Sequence, residues 1–229
     1  MNYLQITHED VCNGNGLRVV LWLSGCSHHC YNCQNPQTWN PNNGIPFDES
    51  AKQEIFNELS KDYIDGITIT GGDPLFEQNL DGVLDLIKEI RKKYPISQNT
   101  NLGNPYKSMV SENDNPNKIR LSFPDKSIWL YTGYRVFINY PETHRQHKYI
   151  ISTTPNALTN VIYDNDLYLK KMEEDRKRGE IISLCDVVVD GEYIDEQRDI
   201  TLKWRGSSNQ RCIDIKQSLA QGKVVLYCD

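Results

Sequence analysis

Three of the seven cysteines in this 229-residue chain lie within one stretch of eight residues. Cys26, Cys30 and Cys33 have the spacing Cys-x3-Cys-x2-Cys, and the apolar run 19–23 precedes them. This run is short, rich in β-branched and aromatic residues and closed by a serine and a glycine, which predicts a buried strand leading into a cysteine loop. Loops at the carboxyl ends of such strands carry the chemistry of many α/β proteins. The cysteine loop is therefore the first candidate for a functional site.

Three thiolates in one loop can hold a soft metal centre. The number of protein ligands helps to decide whether that centre is zinc or an iron–sulfur cluster. Structural zinc normally takes four protein ligands, usually in two separated pairs. A 4Fe–4S cluster normally takes one cysteine on each of its four irons, so three cysteines leave one iron open. His28 or His29 could complete a zinc site, but both lie between two cysteines, where simultaneous ligation is awkward. The spacing favours the cluster over zinc, and a disulfide framework, typical of small secreted chains, is favoured least.

Glycines mark two further stretches. Residues 66–70 alternate as a strand and end in the motif Gly-Gly-Asp-Pro at 71–74. Two glycines at a strand end allow the backbone to approach a ligand closely, although an ordinary turn before a helix gives the same pattern. Gly14 and Gly16 precede the first predicted strand and are not followed by Gly-Lys-Ser/Thr, which excludes a phosphate-binding loop. We expect them to give close backbone packing over the cluster.

Hydrophobic periodicity predicts alternating strands and helices over most of the chain. Besides the two strands above, we expect strands at 126–131, 182–189, 212–215 and 223–227 and helices at about 50–61, 79–94 and 166–178. The alternation predicts an α/β fold with a largely parallel sheet, and the strands are too few to close an eight-stranded barrel. The fold expected is a partial, open parallel α/β barrel in a single domain, 1–229, with polar insertions at about 95–125 and 141–180.

Composition excludes several classes of partner. The net charge of −6 and the pI of about 5.4 argue against binding to nucleic acid or to an anionic membrane. No apolar run approaches the ~20 residues of a membrane span, and the amino terminus lacks a signal-peptide pattern, so we expect a cytoplasmic protein. The remaining cysteines and three of the histidines show no partner pattern and are expected to have no role in the chemistry: Cys12, Cys185, Cys212, Cys228, His8, His144 and His147.

The Cys-x3-Cys-x2-Cys loop resembles the signature of the radical S-adenosylmethionine (SAM) enzymes, and residues 71–74 resemble the Gly-Gly-Glu/Asp-Pro motif of that superfamily. Several stretches together resemble one subfamily, the activating proteins of anaerobic (class III) ribonucleotide reductase. These stretches are 13–18, the cysteine loop with 35–39, 71–75, 132–134, 186–193 and 204–211. The resemblance covers about 1–95, 126–140 and 180–229 and fails over the two polar insertions.

The resemblance implies an iron–sulfur oxidoreductase with a partial barrel of the radical SAM type. In such enzymes the reduced 4Fe–4S cluster, here on Cys26, Cys30 and Cys33, passes one electron to SAM at the open iron. The products are methionine and a 5′-deoxyadenosyl radical, which takes an α-hydrogen from one glycine of the large catalytic subunit of the reductase and leaves a glycyl radical. The implied partners are that subunit and a low-potential electron donor such as flavodoxin. No catalytic residue beyond the cluster ligands is implied.

The resemblance also implies where SAM binds. The implied cofactor-binding residues are Asn32, Cys33, Gln34, Gly71, Gly72, Asp73, Thr132 and Gly133. The glycine motif corresponds to the residues that hold the methionyl end of SAM, and the two polar neighbours of the last cysteine lie against the nucleoside. The residue before the last cysteine, often aromatic in the superfamily, is Asn32 here, and the activating proteins also lack that aromatic. For Arg205, Asn209 and Arg211 the sequence leaves two roles open, fixing the carboxyl-terminal segment or contacting the partner.

Two other interpretations stay open. One is a radical SAM enzyme with another target, either the activase of a different glycyl-radical enzyme or a small-molecule modifier. Such activases often carry extra cysteine-rich segments, which this chain lacks, and the stretch 204–211 argues against them. The other is a non-enzymatic metal-binding module, which predicts a tetrahedral metal without affinity for SAM and leaves the motif at 71–74 without a purpose.

Overall fold

The computed structural model describes residues 1–95, 126–139, 150–153 and 165–228. Ten strands and four helices alternate along these residues. The strands are β1 Asn2–Asp10, β2 Arg18–Leu23, β3 Ile45–Pro46, β4 Gly66–Gly71, β5 Ser127–Tyr131, β6 Phe137–Asn139, β7 Ile150–Ser152, β8 Val187–Asp190, β9 Arg211–Asp214 and β10 Leu226–Cys228. The helices are α1 Glu49–Leu59, α2 Leu80–Lys93, α3 Asn165–Ser183 and α4 Ile215–Gln221.

Eight of the strands form one open, mixed sheet in the order β10-β9-β8-β5-β4-β2-β1-β3, and β6 pairs with β7 separately. The four central strands β2, β4, β5 and β8 are parallel, whereas β1, β3, β9 and β10 join by antiparallel pairing. The expected α/β class is confirmed, and the parallel pairing is limited to the centre of the sheet. The connection from β8 to β9 contains a short 3-10 helix, Asp195–Gln197, in place of a crossover α-helix, and β9 pairs antiparallel to β8.

Alternation along the central strands gives the sheet two buried faces. On one face Val19 and Leu21 of β2 and Ile67 of β4 join the apolar residues of α1 and α2 in the main core. On the other face, Trp129 of β5 and Cys212 of β9 belong to a smaller cluster with β8 valines, onto which aromatic side chains from the end of the chain pack. The run 19–23 is therefore continuously apolar because both of its faces are covered.

The predicted helices α1 and α2 form close to their expected limits. The side chain of Asp48 accepts a hydrogen bond from the Ala51 N–H at 3.0 Å and caps α1. The apolar face of α2 is buried against the sheet, and the helix ends two residues before Pro95. These two helices cover the sheet beside the strands that lead into the cysteine and glycine motifs.

Several elements differ from the sequence-based expectation, and among them the short strands β3, β6 and β7 were not predicted. β1 was not predicted, although its first seven residues carry a strand-like mixture of aromatic, aliphatic and threonine side chains. α4 lies between the two expected terminal strands, where Asp214 caps it and Gly222 ends it in the left-handed conformation. β8 begins later than expected, because Ile182 is still part of α3.

The described part of the chain also locates the early glycines. A Cβ atom at Gly14 would lie 2.8 Å from Arg18 Cδ, and one at Gly16 would lie 2.1 Å from Asp65 Oδ2. Both contacts are at the amino-terminal end of the central strands, on the opposite edge from the cysteine loop. The expectation that these glycines pack over the cluster is therefore wrong.

Most of the first polar insertion, residues 96–125, lies outside the described residues, as do His144 and His147 of the second. The second insertion, expected over 141–180, includes described residues, and these contain most of α3. Among the helices that the structure describes, none has the length and apolar character needed to cross a membrane.

Candidate metal centre

The four parallel strands end at one edge of the sheet, and the predicted site segments follow these ends. β2 leads into the cysteine loop, defined here as residues 24–35, and β4 leads into the glycine motif at 71–74. β5 is followed by Thr132 and Gly133, and β8 by Gly191 and Glu192. Leu23 is the register partner of Gly71, and Tyr131 is the partner of Val189. The structure thus brings the predicted residues together at a single edge, which we call the carboxyl edge.

Backbone hydrogen bonds hold the beginning and the end of the cysteine loop. The Gly25 N–H donates to Thr38 O at 2.7 Å, and the Cys26 N–H donates to Trp39 O at 3.1 Å. A turn closes the second half, where the Cys33 N–H donates to Cys30 O at 3.1 Å. The loop is compact enough that His29 and Asn32 adopt left-handed backbone conformations.

The three cysteines are free, and the Asn35 N–H donates to Cys33 Sγ at 3.4 Å. The backbone N–H groups of His28 and His29 act to lower the pKa of the Cys26 thiol, and that of Tyr193 acts to lower the pKa of the Cys30 thiol. Burial and the nearby Asp73 carboxylate raise the pKa of the Cys26 thiol to about 11 despite these N–H groups, and burial also raises the pKa of Cys30. N–H donors stabilise the thiolate form that a metal ligand requires, but burial outweighs them, so the cluster-free loop holds Cys26 and Cys30 as thiols.

The glycines of the 71–74 motif allow β4 to pack against the start of the cysteine loop. A Cβ atom at Gly72 would lie 2.5 Å from Gly25 O, and one at Gly71, where φ is +99°, would lie 2.8 Å from Leu23 N and O. The Asp73 N–H donates to Gly25 O at 2.8 Å, which joins the two segments directly. Larger residues at 71 or 72 would separate the glycine motif from the cysteine loop.

The Asp73 carboxylate joins the ends of β4 and β5. It is only 2% exposed and accepts hydrogen bonds from the Leu75 N–H at 2.8 Å, the Thr132 hydroxyl at 2.9 Å and the Gly133 N–H at 2.9 Å. Its oxygens are therefore occupied by the protein itself. Thr132 and Gly133, predicted as cofactor contacts, are donors in the same network.

His28 lies between two carboxylates. Its Nδ1 atom is 2.8 Å from Glu192 Oε1, and its Nε2 atom is 2.9 Å from Asp73 Oδ2 as a close ion pair without the alignment of a hydrogen bond. Burial by itself lowers the pKa of His28, but the two carboxylates outweigh it and the net pKa is raised. Neither ring nitrogen is directed at the thiols, and His29 instead packs against the Trp39 ring at 4.9 Å. The structure therefore does not support a histidine as the fourth ligand of a zinc site.

The polar neighbours of Cys33 face the segment that follows β8. The Asn32 side chain donates to Asp195 Oδ2 at 2.9 Å, and the Tyr193 hydroxyl donates to the other oxygen of that carboxylate at 2.6 Å. Gln34 is exposed beside Gly206, where its Nε2 atom lies 3.6 Å from the position of an added Cβ. Asn32 and Gln34 thus border the carboxyl edge on the side of residues 192–206.

The carboxyl-terminal segment is fixed mainly to the end of β8. Asn209 donates to Glu192 O at 2.8 Å, and Gln210 donates to Gly191 O at 2.9 Å. Arg211 forms a two-point contact with the buried Asp190 carboxylate. Arg205 contributes one long hydrogen bond, to Gln210 O at 3.4 Å. Of the two roles left open by the sequence, fixing this segment is the one visible here for Asn209 and Arg211.

Comparison with known proteins identifies the family. A family model described as a 4Fe-4S single cluster domain matches residues 12–113 and 137–213. The anaerobic ribonucleoside-triphosphate reductase-activating protein of Enterobacteria phage T4 is 32% identical over 213 residues, which cover 92% of each chain. The chain belongs to the family of these activating proteins. The relatives from Escherichia coli K12 and Haemophilus influenzae, which carry the same name, are 30% and 29% identical over 92% of this chain and 96% of theirs.

Membership of the activating-protein family confirms the resemblance inferred from the motifs and the expected 4Fe–4S cofactor. The residues present fit that cofactor, because three free thiols lie in one loop and both ring nitrogens of His28, between two of them, face carboxylates instead of the thiols. In the residues that the structure describes, no three His, Cys, Asp or Glu side chains are already gathered in the geometry of a metal site.

Sequence reasoning missed the residues that support the cysteine loop from the far end of the chain. Glu192 lies 164 positions from His28, and Asp195 lies 163 positions from Asn32. No local pattern marks either acidic residue as a partner of the loop. The available signal was their place just after a predicted buried strand, since the carboxyl ends of parallel strands meet at one edge.

Proposed function

We propose that Cys26, Cys30 and Cys33 hold the 4Fe–4S cluster, that its fourth iron binds SAM, and that the protein installs a glycyl radical on the large catalytic subunit of anaerobic ribonucleotide reductase. The observation that carries this proposal is the cysteine loop itself. It places three free thiols at the carboxyl edge of a chain that matches the activating proteins over 92% of its length. When bound, the cluster and SAM supply one-electron cleavage that yields a radical able to remove a glycine α-hydrogen.

The protein's contribution to this chemistry is binding and orientation. The backbone N–H groups near the cysteine sulfurs partly offset the burial that disfavours the thiolate form of the ligands. Because the Asp73 side chain is occupied by Thr132 and Gly133, we propose that residues 71–73 hold the methionyl end of SAM through backbone groups. Thr132 and Gly133 then act on SAM by orienting this segment.

The nucleoside end of SAM belongs beside the last cysteine in this proposal. Asn32, Cys33 and Gln34 line the edge that faces the segment after β8. Asn32 is already paired with Asp195, so its amide orientation is set before any ligand binds. Gln34 is exposed and its amide is the group we propose to contact the nucleoside.

The proposal includes the overall architecture. We propose that the chain is a single domain, 1–229, and that its open sheet curls into a partial barrel with the two polar insertions as additions to it. In support, four parallel strands occupy the centre of the sheet, the helices α1 and α2 pack on one face, and an aromatic cluster lies on the other, where such a barrel has its interior.

The proposed partners are the large catalytic subunit of the reductase and a low-potential electron donor such as flavodoxin, in the cytoplasm. The first partner is suggested by the name that the relatives carry, anaerobic ribonucleoside-triphosphate reductase-activating protein. The net charge of −6 continues to argue against a nucleic-acid partner or an anionic membrane.

The test begins with protein purified and reconstituted without oxygen. We expect about four irons and four sulfides per chain, release of 5′-deoxyadenosine after reduction with SAM, and a glycyl radical signal once the reductase subunit is added. Alanine at Cys26, Cys30 or Cys33 should abolish nucleoside release, whereas Cys12→Ala, which changes an exposed free cysteine at the other edge, should preserve it. Bound zinc, or a cluster that never cleaves SAM, would show that the protein is a binding module instead.

A further inference from the structure

The His28 side chain connects more strand ends than any predicted cofactor residue does. It projects from the cysteine loop, between Cys26 and Cys30, and is only 11% exposed. Its two ring nitrogens lie within 2.9 Å of Asp73, at the end of β4, and Glu192, at the end of β8. The imidazole therefore spans the carboxyl edge from the loop after β2 to the loop after β8.

The end of β5 forms the surface beneath the imidazole. A Cβ atom at Gly133 would lie 2.4 Å from His28 Cδ2, so glycine is needed there to admit the ring. The Tyr134 ring meets the His28 ring edge to face, with centroids 4.8 Å apart. Residues that follow β4, β5 and β8 thus together fix the position of the His28 ring.

The neighbouring His29 provides an internal comparison. It belongs to the same loop and has the same side chain, but it is exposed and contacts Trp39, a residue only ten positions further along the chain. No carboxylate within ion-pair distance of His29 is recorded among the described residues. Any effect specific to the cross-edge contacts should therefore appear at His28 and not at His29.

We propose that His28 is a positioning residue whose imidazole, held between Asp73 and Glu192, fixes the first half of the cysteine loop across the ends of β4, β5 and β8. Hydrogen bonds from Gly25 and Cys26 secure the start of the loop, and the Cys30–Cys33 turn secures its end. The His28 contacts hold the stretch between Cys26 and Cys30. Because the cluster-free loop then has fewer conformations, less conformational entropy is lost when the thiols bind a cluster. That functional consequence rests on the proposed cluster, whereas the fixing of the loop does not.

The first experiment uses the cluster-free protein, so that it is independent of iron chemistry. Amide hydrogen exchange of peptides covering residues 24–35 is measured by mass spectrometry in His28→Asn, His29→Asn, Glu192→Ala and Glu192→Gln. We expect exchange in this peptide to rise about tenfold or more in His28→Asn and to rise in Glu192→Ala, because a hydrogen bond with a charged partner is lost. Glu192→Gln keeps an acceptor for Nδ1 and should restore most of the protection, and His29→Asn should match the unchanged protein.

The second experiment uses the reconstituted protein and measures the rate at which an iron chelator removes the cluster. We expect the cluster to be lost several-fold faster from His28→Asn than from His29→Asn. As controls, the two variants should have equal iron content at the start and equal amide hydrogen exchange in peptides from α1 and α2. Equal exchange of residues 24–35 in the two variants would overturn the proposal. If the unchanged protein took up no cluster, the proposed function would fail while the exchange comparison still decided the role of His28.

Discussion

At the scale of single residues, Asp73 shows how a sequence motif can be located correctly while its side chain does something else. The motif at 71–74 predicted a ligand contact at a strand end, and the structure places it at that end. The carboxylate, however, accepts from Leu75, Thr132 and Gly133 and is almost fully buried. The charge of the Asp73 carboxylate is thus used to join the ends of β4 and β5.

Replacing Asp73 by alanine should destabilise the cluster-free protein. Three buried donors would lose their acceptor, and each unsatisfied group costs about 1–3 kcal/mol, so we expect the free energy of unfolding to fall by about 3 kcal/mol or more. Asp85→Ala, on the exposed side of α2, should change it by less than about 0.5 kcal/mol. Chemical denaturation followed by circular dichroism measures both. A loss at Asp73 no larger than that at Asp85 would mean that the carboxylate does not hold the strand ends together.

The residues of the candidate site fall into two groups, those that a sequence motif can indicate and those that it cannot. Cys26, Cys30 and Cys33 and the glycine motif were predicted from sequence because each group is nearly contiguous and its spacing is typical of the chemistry; their binding roles stay a prediction. His28, by contrast, was weighed only as a metal ligand, since its partner Glu192 is 164 positions away. Contacts between such distant residues depend on strand order, which local periodicity does not reveal.

At the scale of elements, α3 differs most from its sequence interpretation. The sequence predicted a helix at about 166–178 and no site residue within it, and residues 169–173 are exposed. Several residues of its second half are buried, and one of them, Arg178, contacts residues that follow β4 and β5. The Arg178 Nε donates to Leu75 O at 3.0 Å, and the guanidinium carbon lies 4.6 Å from the centre of the Tyr134 ring. Through Tyr134, α3 supports the ring of His28.

Arg178→Met should loosen this support. The substitution preserves much of the apolar stem but removes a buried hydrogen bond and a cation–π contact, which together contribute about 2 kcal/mol to folding. Arg176→Met is the matched control, since that side chain is 58% exposed and its ion pairs with Glu173 and Glu180 contribute little. Thermal unfolding of the cluster-free variants compares them. An equal effect at both positions would contradict a specific role for Arg178.

The elements that differed from prediction did so for separate physical reasons. β1 is partly exposed and carries polar residues because it lies near the edge of the sheet, so its periodicity is weak. The apolar pair Ile181 and Ile182 precedes the valines of β8 without a turn signal, and a short apolar run fits the end of a buried helix as well as a strand. α4 is seven residues long, and its capping aspartate and terminal glycine were the available signal.

At the scale of the whole molecule, the carboxyl edge couples cofactor binding to global stability. Segments from four strands and the carboxyl-terminal stretch meet there, so a ligand that contacts several of them binds the folded chain and not the unfolded one. SAM at 100 times its Kd should stabilise the cluster-loaded protein by about 2.7 kcal/mol. For a chain of this length that corresponds to a rise in Tm of about 5–10 °C.

Anaerobic thermal melts with and without SAM measure this rise. The Cys26→Ala protein, which we expect to lack an intact cluster, should show no comparable rise at the same SAM concentration. A similar rise in both proteins would indicate that SAM binds without the open iron, and that the amino and carboxylate groups of SAM are held by the polypeptide alone.

The 164-residue separation between His28 and Glu192 also has a consequence in time. A ribosome adds about 5–20 residues per second, so the cysteine loop is synthesised roughly 8–33 s before the carboxylate that secures its centre. During that interval the three thiols are in a nascent chain whose central sheet still lacks β8. An iron–sulfur assembly factor that acted before synthesis was complete would meet a loop without its cross-edge support, whereas one that acted after release would meet the supported loop.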